Sequence, residues 1–293
     1  MIEITIFAPI NDKIFFTMRH IFTLFAAALI LASCGESMER KAQSLVDEAA
    51  VAYESQDYSK AKLLLDSVKK SYRKAFKVRR QALKLQREVE LAEQRRSLDY
   101  FDAQIAGLCA VRDALLPQFI LDKDSKYQDV GNYVIPSQEI KNNVGVSYLR
   151  ATVDEKGAAK LSSFYRGKAI RHNVVRVTCG EEYAECDSPA SKHTSKHLGA
   201  TSERLDFVYG NDGGLMDFIA TANGQITVQL SGGTKHSYVL RSEDAAAVKK
   251  ILELAQAIQA IEQMKDSRAE AERHINFLIR SKEKYDVKEN EEQ

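Results

Sequence analysis

Tryptophan is absent from the chain, and proline and cysteine each occur only four times in 293 residues. Without tryptophan, the strongest stacking side chain for sugars and bases is missing, although 12 Tyr and 12 Phe can substitute. An excess of either charge is also missing. Forty-two Lys and Arg stand against 41 Asp and Glu, for a net charge of +1. Removing residues 1–33 takes away Lys13 and Arg19 with Glu3 and Asp12 and leaves that balance unchanged. So neutral a chain has no global field to gather nucleic acid, and no nucleic-acid partner is expected. The apolar run at 21–32 (IFTLFAAALILA) has 12 residues, whereas a bilayer span needs about 20. No Gly-x-Ser-x-Gly elbow occurs, so His172, His236 and His274 have no marked nucleophile beside them, and no catalytic residue is assigned. No cofactor is expected.

The apolar run has the length of a signal-peptide core, and Met18-Arg19-His20 supplies a basic start before it. Residues 1–17 are superfluous to such a leader, which makes Met18 a candidate start; N-terminal mass spectrometry of the precursor tests this. Leu31-Ala32-Ser33-Cys34 follows and resembles the lipobox of bacterial lipoproteins. The resemblance implies that the Cys34 thiol takes a diacylglyceryl group, that cleavage precedes Cys34, and that the new amine is acylated, for example with palmitate. More than one acyl chain makes such anchoring stable. Gly35-Glu36-Ser37 carries no Asp at the second position, which by the family's sorting rule favours the outer membrane over the inner. The competing reading is a secreted protein cut near the same place.

No proline falls between residues 10 and 116. Ala, Leu, Lys, Arg, Glu and Gln dominate residues 39–121, which read as helix. Ala49, Ala52, Tyr53, Asp57, Tyr58, Ala61, Leu65 and Val68 resemble one tetratricopeptide helix hairpin. Repeat arrays need about three such units, so a single hairpin is inferred. A longer helix is expected from about Arg73 to Leu116. Its narrow apolar stripe includes Val78, Leu85 and Val89, and suits a coiled-coil-like pairing. The expected partner is the helix at 242–284, with Ser242 as N-cap and Glu243 and Asp244 in its first turn.

Between the helices the composition shifts. Twelve of the 14 Gly lie within residues 127–241, among β-branched and aromatic residues. Strands are predicted at 146–153, 158–165, 173–178, 204–209, 215–221, 225–230 and 235–240. The turns between them are Asp154-Glu155-Lys156-Gly157, Asn211-Asp212-Gly213-Gly214 and Asn223-Gly224. Asn211–Gly214 and Ser231-Gly232-Gly233-Thr234-Lys235 are read as hairpin turns and not as phosphate loops, since neither should lead into a helix.

The fold class is therefore α+β: a helical hairpin and long helix pairing with a C-terminal helix, with an inserted antiparallel β meander or sandwich. The expected organisation is a signal peptide at 1–33, an anchored helical region at 34–125 and a β domain at 126–241. The packing helix at 242–284 and a disordered tail at 285–293 complete it. The strand set VSYLRATVDEKG, VVRVTC and DFVYGNDGGLMDFIA with its terminal helix resembles an uncharacterised lipoprotein family of gut Bacteroidota, over residues 34–282. That resemblance implies no particular activity.

Cys179, Cys186, His193 and His197 follow a C-x6-C-x6-H-x3-H spacing. Two thiolates and two imidazoles are a tetrahedral zinc set, and His193 and His197 would share one face of a helix. Against this, the cysteine spacing is wide and the surroundings read as a loop. An envelope compartment also favours a Cys179–Cys186 disulfide, which would stabilise the fold by about 2–3 kcal/mol. Free thiols are the third reading, and Cys109 reads as a buried apolar thiol. The basic run from Lys69 to Lys74 reads as a solvated helix face, with anionic lipid headgroups or an acidic partner as alternatives. The leading expectation is a non-enzymatic envelope lipoprotein that presents its β domain to a protein or glycan partner. The alternative is a metal-binding protein or metal-dependent enzyme using Cys179, Cys186, His193 and His197.

Overall fold

A computed structural model describes residues 38–197 and 199–291 of the chain. The predicted signal peptide and Cys34 lie outside the described residues. The chain divides into two compact units, a helical one of Met1–Leu98 with Ala271–Gln293 and a β unit of Asp99–Glu270.

Three helices open the helical unit: α1 (residues 38–54), α2 (Tyr58–Ser71) and α3 (Phe76–Leu115). Gln56 breaks the first helix at φ +61. Asp57 caps the second, its carboxylate accepting the Lys60 N–H at 3.0 Å. The buried stripe is small: Ala42, Ala49, Ala52, Ala61, Ala75 and Ala82 alternate with Val46, Leu65, Val68, Val78 and Val89. Alanine lets helices approach closely, so close packing takes the place of bulky side chains here. An ion pair between Lys62 and Glu93 at 2.6 Å ties α2 to α3. The last helix, α5 (Ser242–Glu291), continues past residue 285, where the sequence predicts a disordered tail. Helix α3 packs with α5 as expected. Lys282 faces Glu88 at 3.8 Å in the helical unit, and Arg268 meets Asp102 at 2.6 Å in the β unit.

The β unit holds two antiparallel sheets. The six-stranded sheet has the order β1 (Ile120–Asp122), β2 (Asn132–Val134), β3 (Tyr148–Asp154), β4 (Ala159–Gly167), β8 (Ala200–Val208), β7 (Ser191–His197). The four-stranded sheet runs β10 (Lys235–Val239), β9 (Thr227–Ser231), β5 (Val174–Cys179), β6 (Glu182–Cys186). Inward residues of both sheets share one core, including Leu149, Leu161 and Phe207 from one and Val175, Val177 and Leu230 from the other. Ile251, Leu254 and Ile258 of α5 join it, and Leu115, Leu116 and Phe119 pack against it. Each fully buried side chain of this kind contributes about 1.5–3 kcal/mol. That packing explains why the unit begins at Asp99 and ends at Glu270, not at the expected 126 and 241: the core needs the ends of both long helices.

Four local expectations are corrected. Residues 215–221 form a helix, α4 (Leu215–Thr221), and not a strand. Asn211–Gly214 is therefore no hairpin turn: Asp212 accepts the Met216 N–H at 2.8 Å and starts the helix. At the head of α5 the Arg241 carbonyl accepts from the Asp244 and Ala245 N–H groups, so Arg241 occupies the cap position and Ser242 is already helical. The loop reading of the Cys/His surroundings also fails where β6 (Glu182–Cys186) and β7 (Ser191–His197) run.

Candidate functional site

The Cys/His set is dispersed. On the β5–β6 ladder Cys179 lies opposite Glu182 and Cys186 opposite Val175, at the two ends of the hairpin. Four residues of strand separate them, roughly 13 Å at the usual rise, whereas a disulfide needs Cα atoms within about 7 Å. Both are free thiols, as is the half-buried Cys109. The predicted disulfide is thus corrected. His193 stands on β7 in the other sheet, and the H-x3-H positions lie on a strand, not on a helix. Among the described residues no group of three or more His, Cys, Asp or Glu could hold a metal ion. The thiol of Cys179 borders an open cleft of about 610 Å³ that also touches Glu182, Phe218 and Gly224.

A different constellation does come together. Ser163 on β4, His172 before β5 and Glu203 on β8 form a file in the core. His172 Nδ1 lies 2.8 Å from Glu203 Oε2 and donates to it, which leaves Nε2 to accept from Ser163 Oγ at 3.3 Å. The order hydroxyl, imidazole, carboxylate is that of a nucleophilic triad. The surroundings give it another task. All three residues are buried, and Glu203 also accepts the backbone N–H groups of Ile170, Arg171 and His172 at 2.8–2.9 Å. The carboxylate thereby pins the crossover from one sheet to the other, in which Arg171 is held at φ +53. Burial lowers the His172 pKa against the pull of Glu203, so the ring is neutral. Burial pushes Glu203 upward, but the ring and the three N–H groups together outweigh it and hold the carboxylate below its ordinary range. Sequence reasoning named His172 and missed its partners, which lie 9 and 31 residues away on other strands.

On the opposite face of the same sheet Asp206 accepts hydroxyl hydrogens from Ser162 and Ser191, each at 2.6 Å. Arg204 reaches the same carboxylate at 3.4 Å and His193 at 3.9 Å. Burial raises the Asp206 pKa, but the two hydroxyls and Arg204 overcome it, and the net shift is downward.

The exposed chemistry of the β unit is concentrated between residues 120 and 146. Val144 is 70% exposed and Tyr127 75%, and Ile120, Leu121, Ile140 and Val146 also face solvent. Yet the segment is firmly held. Buried Gln138 donates to the Leu149 carbonyl and accepts from the Ala151 N–H, each at 2.9 Å, extending the β3 ladder beyond the end of β2. Asn143 donates to the Ser137 and Glu139 carbonyls and accepts from Arg241 Nη2 at 2.7 Å. Glu155 accepts from the Gly131 N–H and from Lys123, and those two contacts hold its pKa down. Apolar side chains held outward on a fixed backbone are what a docking surface requires. The sequence signal for this segment was its long stretch without helical or strand periodicity.

Searches against protein-family models, curated proteins and solved structures each found no match to the chain. Among the described residues, no helix is long and apolar enough to cross a membrane.

Proposed function

We propose that the protein is a non-enzymatic lipoprotein of the bacterial cell envelope, anchored through acylated Cys34 and favouring the outer membrane. Its β unit binds a protein or glycan partner. The observation that carries the binding role is the 120–146 segment, where apolar side chains face water on a backbone fixed by Gln138, Asn143 and Glu155. The saturated Glu203 carboxylate supports the same reading, because the hydroxyl–imidazole–carboxylate file is occupied in holding a crossover.

Two measurements test the two halves. Cys34→Ala removes the acyl acceptor, so labelling with a clickable palmitate is lost and the protein leaves the envelope fraction. A variant that still sediments with envelopes refutes the anchor. A photo-crosslinker at Val144 in intact cells should give a discrete adduct that one at Lys192 on β7 does not. Equal adducts from both positions, or none from either, refute the docking surface.

A further inference from the structure

The helical unit carries a feature that partner binding does not use. The α2–α3 corner displays Lys69, Lys70, Arg73, Lys74 and Lys77, all exposed, on the same stretch of chain as Phe76, which is 74% exposed. Leaving an aromatic ring in water forgoes about 1.5–3 kcal/mol of burial. An exposed ring on a stretch rich in exposed cations is poorly suited to an apolar protein core and well suited to a headgroup layer, where the ring enters the acyl boundary and the cationic side chains meet phosphate. On the neighbouring stretches 38–41 and 66–80 the acidic residues are Glu39 and Asp66, and Asp66 is paired with Lys70.

Helix register decides which way this corner faces. Glu48 of α1 pairs with Lys60 of α2 at 3.1 Å across the hairpin. Both helices rise equally per residue, so stepping back along α1 from Glu48 and forward along α2 from Lys60 brings Met38 level with Lys70. The corner therefore lies at the end of the hairpin where the chain enters. Fully extended, the connection from Cys34 to Met38 spans at most about 14 Å.

We infer that this end of the helical unit docks on a membrane surface bearing anionic headgroups, with Phe76 inserted and the corner lysines and Arg73 on the phosphates. The inference rests on the acylation of Cys34, which brings the corner to the bilayer. The acyl chains already make attachment stable, so the basic patch sets how the helical unit lies on the surface. The same geometry sets the helical unit on the membrane, within about 14 Å of the anchored residue.

The test uses the full lipidated chain with F76W, which introduces the sole indole because the protein has no tryptophan. The protein is reconstituted in vesicles with brominated acyl chains, either containing phosphatidylglycerol or made of phosphatidylcholine alone. On phosphatidylglycerol the indole emission should shift to the blue and be quenched, and added salt should reverse both. Phosphatidylcholine should give neither. Each near-surface cation is worth about fivefold in partitioning, so K69E/K70E/K74E, which removes three cations and adds three anions, should lower the docked-to-undocked ratio by well over about a hundredfold. Should that variant lose helix by circular dichroism, Gln at the same positions replaces it, with a smaller loss expected. An indole that stays water-exposed on phosphatidylglycerol overturns the inference, as it would if the corner served an acidic protein. Palmitate labelling reports on the anchor alone. Quenching without label overturns the anchor and leaves the docking surface standing; label without quenching does the reverse.

Discussion

The two units solve the same problem with opposite materials. The helical unit is held by alanines and valines, with Ala42, Ala49, Ala52, Ala61, Ala75 and Ala82 at its centre and its ion pairs outside. The β unit has a core of large aliphatic residues and also buries Glu203, Asp206, Asp244, His172 and Gln138. A close-packed alanine seam tolerates charge change and resents volume. A core with buried carboxylates tolerates neither the loss of a donor nor a proton in the wrong place.

Breaking a pin in the β unit should give the largest effect. Glu203→Ala strands three backbone N–H groups and the His172 ring, and should lower stability by about 3–5 kcal/mol in urea unfolding. Ser163→Ala removes only the longest bond of the file and should cost under about 1 kcal/mol; equal losses from the two would mean that Glu203 is not the pin. In the helical unit the sensitive change is volume. Ala52→Leu should cost about 1–3 kcal/mol by overpacking, whereas Lys62→Met, half-buried beside the seam, should change stability by about 1 kcal/mol or less.

Acid should separate the units further. The folded His172 pKa is lowered, so its contribution is complete above the free imidazole value near 6.5 and is lost as pH falls below it. Glu203 and Asp206 are also lowered, and their contribution is lost only as pH falls below the ordinary carboxylate range near 4. Both signs agree: melting temperature should drop on acidification in two stages, and His172→Gln should erase the upper one. The smallest effect is expected at Tyr238. Its hydroxyl is buried without a hydrogen-bond partner, and burial raises its pKa. Tyr238→Phe should therefore leave stability within about 0.5 kcal/mol of the parent.

The helices were legible because one chemical pattern, Ala and Leu at helical spacing without proline, states the structure locally. Most strands were legible through alternation and glycine turns. Residues 215–221 misled because Phe218 and Ile219 favour strands, although the buried Leu215, Met216 and Ile219 fall at helical spacing. What decides them is Asp212, whose carboxylate meets the Met216 N–H, and Gly214 in the left-handed region before the helix. Strand β7 (Ser191–His197) was illegible because it pairs on one side only and carries no apolar face to betray it. The buried file was illegible for another reason: Ser163, His172 and Glu203 meet only after three strands find their register, and no spacing rule encodes that.

Strand β7 has one more consequence. It is an outermost strand, with Lys192, His193, Thr194, Ser195 and Lys196 exposed. Molecules confined to a film collide far more often than molecules in bulk, and an open ladder of amide groups invites a neighbour to zip onto it. Lysines projecting from that rim repel an identical rim before the first rung can form. The plain polar composition that hid this strand from view is thus what would let many copies crowd together on one surface without fusing into fibres.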